Sequence, residues 1–424
     1  MSWILASDFA CRLPLAADAV RSPSEAKVGR GRGVEVLRRA LPPLPNPSPA
    51  RGEGLAPVAC EAAPQPQPQP KPKPKPKQQP HALAHNHVRL SLPNPTGAPM
   101  PLPALLENRL RLPLVGAPMF IVSGPELVAA QCKAGIVGSF PSLNARPLSQ
   151  LDEWLAQLSE DLGAAHAAST PGDPVAPFAV NLIVHASNNR LAEDLKLVEK
   201  YRVPVVITSL SPPAEVVAAV HGYGGVVFHD VISRRHAEKA AAQGVDGLIA
   251  VCAGAGGHAG PLSPFALVRE IRQFYPGTIL LSGAMASGAD VLAAQAIGAD
   301  LAYLGTRFIA TPEARAVDDY KQMLVDCRAE DIVYSSLFTG VKGNYLKPSI
   351  TRAGFDADNL PQADKSKMDF GSGGNTDAKA WKDIWGAGQG VGGIHAVQPV
   401  RELVLQMQAE YREAVQRLER IRST

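Results

Sequence analysis

The residues with most capacity for chemistry lie in three glycine-bearing segments. AGAGGHAG, Ala253 to Gly260, places one imidazole, His258, among glycines. Glycines let the backbone approach a planar ligand closely, and an imidazole that titrates near neutrality can move or hold a proton beside it. SGAMASG, Ser282 to Gly288, and GTRF, Gly305 to Phe308, are the other two. Exposed N–H groups in such loops, with a helix N-terminus behind them, stabilise an anion such as a phosphate. Taken singly, each loop also reads as a tight turn, and His258 as a solvated side chain. Asn181 can serve a ligand ring edge through its amide or act as a turn residue.

Repeated units must position these segments. From residue 112 onward, short apolar runs alternate with helical patterns, the mark of successive βα units. The expected strands are 112–119, 136–139, 178–182, 205–209, 226–229, 247–251, 279–283 and 301–305. Several lack polar alternation, as strands buried on both faces should. Helical patterns run from GPELVAAQCKAG after the first strand to PEARAVDDYKQML after the eighth, with Ser233, Ser263 and Asp290 near helix starts. Eight units in about 210 residues predict an α/β fold, a (β/α)8 TIM barrel, rather than a doubly wound sheet. The glycine segments then follow strands six, seven and eight, on the face where barrel active sites lie, and the last two occupy the usual phosphate position.

The chain has 424 residues, 46% of them hydrophobic, enough for one large barrel. Forty-two basic residues against 39 acidic leave a net charge of +3, so no broad field invites nucleic acid or anionic membrane, and a small-molecule partner is expected. No apolar run approaches the length of a membrane span. The five cysteines are scattered and never spaced CxxC, which points to a reducing cytoplasm and to no zinc site or disulfide framework. Residues 1–104, with PQPQPQPKPKPKPKQQP at 64 to 80, read as a disordered, dispensable, low-complexity leader, because alternate prolines block helix and sheet pairing. His81, His85 and His87 lie there without fixed geometry, so no metal site is expected. The barrel occupies 105–424, ending in a helical extension.

The set GAPM, VNL, AGGHAG, SGAMASG and GTRF, in this order, resembles the nitronate monooxygenase family, the FMN enzymes formerly called 2-nitropropane dioxygenases. The resemblance implies a barrel with FMN on its open face and His258 as the catalytic residue beside the flavin. It implies cofactor contacts at Met119, Asn181, Gly256, Gly283, Ala284, Gly305 and Thr306, and at Gln389 in the GAGQG segment. Substrates would be a nitronate or nitroalkane and O2. This chain departs from many relatives in having Ala284 for a glycine, Val251 for a glutamine and Asp230 for a lysine; Arg307 is a candidate replacement for that lysine at the phosphate. FTGVKGNYLKPSI, Phe338 to Ile350, reads as a lid offering Asn344, Tyr345 and Lys347, or as a surface excursion. GGHAG and GTRF also resemble FMN-dependent, NAD(P)H-consuming enoyl-[acyl-carrier-protein] reductases, which keeps open an enoyl or quinone reductase as a second reading; a flavin-binding barrel without catalysis is a third.

Overall fold

The computed structural model describes residues 102–361 and 381–423; the leader expected over 1–104 lies almost wholly outside them. In chain order the strands are β1 (Leu114–Gly116), β2 (Gly138–Pro141), β3 (Phe178–Val184), β4 (Val205–Leu210), β5 (Val226–Val231), β6 (Gly247–Val251), the two-residue β7 (Gly257–His258), β8 (Thr278–Ser282), β9 (Leu301–Leu304), β10 (Ile332–Ser335) and β11 (Gly343–Leu346). The helices are α1 (Pro125–Lys133), α2 (Leu148–Ala167), α3 (Leu191–Lys200), α4 (Ala214–Gly222), α5 (Arg234–Ala241), α6 (Pro264–Arg272), α7 (Gly288–Ala296), α8 (Thr306–Ile309), α9 (Asp318–Asp326), α10 (Lys347–Arg352) and α11 (Val400–Ser423).

Eight parallel strands run β1-β9-β8-β6-β5-β4-β3-β2. The ring closes where Gly116 N–H donates to the Val137 carbonyl at 2.7 Å and Val137 N–H to the Leu114 carbonyl at 3.2 Å. This is the TIM barrel expected from the repeated units. Alternation sorts the strand residues into two layers. Val205, Ile207, Phe228, Ile249, Leu280 and Leu301 fill the interior. Val206, Leu248, Ala250 and Ile279 face outward onto helix residues such as Leu151, Val216 and Leu267. No helix among the described residues is long and apolar enough to cross a membrane.

The differences from the expected elements have local causes. β1 contracts to three residues between Pro113 and Pro118, which have no N–H for a ladder. β2 starts at Gly138, because the Ile136 N–H is bonded to the Gln131 carbonyl at the end of α1. The eighth helical pattern, expected from Pro312, turns helical only from Asp318 in α9, and a short unexpected α8 precedes it directly after β9. Between them Arg315 N–H bonds the Val122 carbonyl and its guanidinium pairs with Glu126 at 2.9 Å, holding that stretch against α1. Ser233, Ser263 and Asp290 stand at helix starts as expected: the two serines are N-caps, and Asp290 is the third residue of α7, completing a capping box with Ser287.

His229 on β5 is buried in the outer layer, its Nδ1 2.8 Å from Thr208 Oγ1. It shares a cavity of about 170 Å³ with His236 and Lys239 of α5. Burial pushes its pKa down to about 4. The unfolded chain therefore takes up a proton near pH 6.5 that the native state refuses until about pH 4. Stability is complete above pH 6.5 and is lost as the pH falls through this window, by about 3 kcal/mol. Urea unfolding at a series of pH values should show that loss, and His229→Gln should remove most of it; an unchanged acid slope would refute this origin.

Candidate active site

The three glycine segments meet at the C-terminal end of the barrel. Gly254, Gly256, Gly283, Gly305 and Thr306 line one polar recess, with Gly388 and Gly390 from the GAGQG segment across it. Side chains are excluded there by contact: a Cβ on Gly256 would lie 2.8 Å from both Gly388 N and Thr306 Oγ1, and one on Gly388 would lie 2.6 Å from the Gly254 carbonyl. Gly388 N–H donates to Thr306 Oγ1 at 2.9 Å, and Gln389 N–H to the Gly254 carbonyl at 2.9 Å. The C-terminal segment thus seals one end of the recess. Gln389 itself is exposed at the rim, its side chain against Gly254. Met119 is buried, with its sulfur on the face of Gly305.

The helix N-terminus expected to assist an anion is already occupied. Gly288 N–H, at the start of α7, donates to Glu410 Oε2 of α11 at 2.8 Å, and the N–H groups of Ala286 and Ser287 donate to Asp290 Oδ2 at 2.9 Å each. An anion in the recess would meet the loop backbone rather than α7. Ala284 adopts a left-handed conformation, φ 55°, next to Gly283 at 137°, and its N–H donates to the Gly254 carbonyl at 3.2 Å. An alanine in that region costs about 1 kcal/mol. Arg307 does not line the recess: it is buried, and the charge acting on it is the Glu410 carboxylate.

Inside the barrel mouth, β3, β4 and β5 place a hydrogen-bonded chain. Asp230 Oδ2 accepts from the Ser209 hydroxyl at 2.7 Å, and Ser209 Oγ accepts from Asn181 Nδ2 at 3.0 Å, which also donates to the Ile207 carbonyl at 3.2 Å. Both amide protons of Asn181 are spent, so its orientation is fixed and its buried Oδ1 is left as an acceptor with no hydrogen-bond partner among the described residues. The Tyr303 hydroxyl on β9 is a second buried polar atom without one. Burial raises its pKa well above the ordinary range, so it stays a neutral donor. Each such group costs about 1–3 kcal/mol while unsatisfied, which suits a ligand supplying a complementary donor and acceptor. Sequence reading missed Ser209 and Tyr303, since inward direction depends on strand register.

His258 is 1% exposed and sits on β7, which pairs antiparallel with β11 in a small sheet completed by β10. Its Nε2 lies 2.8 Å from Thr339 Oγ1, and its ring packs edge-on against Trp381 with centroids 5.4 Å apart. Asn344 Nδ2 donates to the Ala255 carbonyl at 2.7 Å, clamping the glycine loop, and Tyr345 is fully buried between Phe338 and Trp381. The expected lid is therefore packed structure. Lys347 starts α10 and pairs with Asp358 at 2.5 Å. Thr339 lies in the same Phe338 to Ile350 segment but was not among its candidate residues, and Trp381 carries no motif.

A family model described as nitronate monooxygenase matches residues 106–410. The chain belongs to this family. It is 27% identical over 354 residues to a nitronate monooxygenase of Paraburkholderia phytofirmans, covering 72% of this chain and 94% of the relative. It is 28% identical over 241 residues to a Rhodococcus jostii (3aS,4S,5R,7aS)-5-hydroxy-7a-methyl-1-oxo-octahydro-1H-indene-4-carboxyl-CoA dehydrogenase, covering 57% of this chain but only 64% of that relative's length. Among solved structures, a nitroalkane oxidase from Streptomyces ansochromogenes shares the fold, with a TM-score of 0.62 and 23% identity over 74% of this chain and 99% of the other. Nitronate monooxygenases are flavin-dependent oxidoreductases. The residues of this member fit a flavin nucleotide in two respects: a glycine-walled recess for a phosphate, and an unsatisfied acceptor and donor among the described residues, Asn181 Oδ1 and Tyr303, for a polar ring edge.

Proposed function

We propose that the chain is a cytoplasmic, FMN-dependent nitronate monooxygenase that oxidises alkyl nitronates such as propionate 3-nitronate, or nitroalkanes, with O2 to a carbonyl compound and nitrite. The observation that carries this reading is the buried His258 two residues after Gly256, on the glycine loop that walls the recess. FMN among flavins is the cofactor that the motif resemblance implies, and the contacts of Gly388 and Gln389 narrow the recess to suit a single terminal phosphate. Gly256, Gly283, Ala284, Gly305 and Thr306 would surround that phosphate, while Met119 and Asn181 would contact the ring system and Gln389 the rim. The flavin, when bound, supplies electron acceptance from the nitronate and reaction with O2. His258 takes the α-proton of a neutral nitroalkane in its neutral form, or holds the nitronate oxygens as imidazolium.

Purified protein should show a flavin spectrum, release FMN on denaturation, and be bleached anaerobically by ethyl nitronate, with nitrite appearing on readmission of O2. Bleaching by NAD(P)H but not by nitronate would transfer the assignment to a reductase. Bound flavin bleached by neither would leave a non-catalytic barrel.

A further inference from the structure

We infer that Thr339 is the positioning residue that holds His258 as its Nε2–H tautomer, keeping the ring's lone pair on Nδ1 for proton transfer; this rests on the reading of His258 as a general base. Thr339 Oγ1 has four neighbours, two of them short, in competition for one proton and two lone pairs. It lies 3.0 Å from the Val341 carbonyl oxygen and 2.8 Å from His258 Nε2. The carbonyl can only accept. Two oxygens at that separation repel unless a proton lies between them, so the threonine O–H is committed to Val341. The contact to His258 must then be donated by the ring, which places a proton on Nε2. The remaining contacts, from the Tyr345 hydroxyl and Val341 N–H at 3.4 Å each, are long and also reach this oxygen as donors. Burial keeps the Tyr345 phenol protonated. Every neighbour but the carbonyl thus offers Thr339 a hydrogen.

A neutral imidazole protonated on Nε2 carries its basic pair on Nδ1. When Nδ1 takes a proton, Nε2 stays a donor and its bond to Thr339 becomes charge-assisted and stronger. Thr339 therefore does two things for a base: it selects the tautomer before the reaction and favours the cation formed in it. Val341 fixes Thr339 in turn, and Trp381 holds the ring edge-on, so the imidazole has little freedom to rotate.

The test is ¹⁵N NMR of histidine-labelled holoprotein, with His258 assigned through the missing signals of His258→Gln, together with pH profiles of Thr339→Val and Thr339→Ser. The wild type and Thr339→Ser should show Nε2 protonated and Nδ1 bare above the titration of the ring, and Thr339→Val should show mixed tautomers and a lower His258 pKa. In kcat/KM for nitroethane, Thr339→Val should fall about tenfold, a part of what a placed general base contributes, with its acid limb moved to lower pH. Thr339→Ser should restore both, and in Thr339→Val preformed ethyl nitronate, which needs no proton removed, should lose less than nitroethane. A wild-type His258 protonated on Nδ1, or a Thr339→Val profile that matches the wild type, would overturn the inference. The expected tautomer in a protein that does not oxidise nitronates would support the role of Thr339 and overturn the substrate.

Discussion

His258→Ala is expected to keep its flavin and to lose roughly 10²- to 10⁴-fold in kcat/KM for a nitroalkane, the contribution of a positioned general base. Flavin retention follows from the separation of roles. The recess is walled by backbone at Gly254, Gly256, Gly283 and Gly305, and none of its contacts runs through the imidazole. What the substitution removes is a ring pinned between Thr339 and Trp381. The nitronate serves as the internal comparison. If the neutral ring abstracts a proton, preformed ethyl nitronate loses little; if the imidazolium holds the anion, its KM rises by a similar factor to the nitroalkane loss. Steady-state kinetics on both substrates, with flavin content measured on the same sample, separate the two roles. A flavin-replete variant with unchanged kinetics on both would remove His258 from the mechanism.

The strands β3 to β6 were legible because their composition, β-branched and buried on both faces, is a local property, and the order of the glycine segments followed once those strands were counted. What escaped depends on distant partners. Thr339 lies 81 residues from the histidine it touches, and Gly388 lies 82 from Thr306. The start of α7 shows the boundary most clearly. Its capping box, Ser287 with Asp290, is written in four consecutive residues, but the occupation of Gly288 N–H by Glu410, 122 residues away, is not, and that contact withdraws the helix end from the anion site. Asp230 is a related case. As a departure from a lysine it reads as a loss, yet in place it anchors Ser209, which sets the amide of Asn181. That value appears only when β3, β4 and β5 are in register.

Gly256→Val should fold and fail to hold FMN. A Cβ there would lie 2.8 Å from Gly388 N, 2.8 Å from Thr306 Oγ1 and 3.1 Å from the Ala387 carbonyl carbon. Two of these are backbone atoms, which no rotamer change can clear. Relief requires the Ala387 to Gln389 segment to lift, and that breaks the bonds from Gly388 N–H to Thr306 Oγ1 and from Gln389 N–H to the Gly254 carbonyl. Two hydrogen bonds and a displaced wall amount to about 2–3 kcal/mol, or roughly a 100-fold rise in the Kd for FMN. The interior cluster of Val205, Ile207, Phe228 and Leu280 is built from other strands, so far-UV circular dichroism of the flavin-free protein should stay near that of the flavin-free parent, with the melting temperature lowered only by the loss of these two bonds. Gly163→Ala is the matched control: it lies on α2 with nothing within 4 Å of the added Cβ, and it should bind FMN normally while stabilising the helix slightly. FMN titration by fluorescence quenching reads all three proteins. Wild-type affinity in Gly256→Val would mean that the phosphate lies elsewhere, because the substitution cannot be accommodated without displacing the Gly388 and Thr306 wall of the recess.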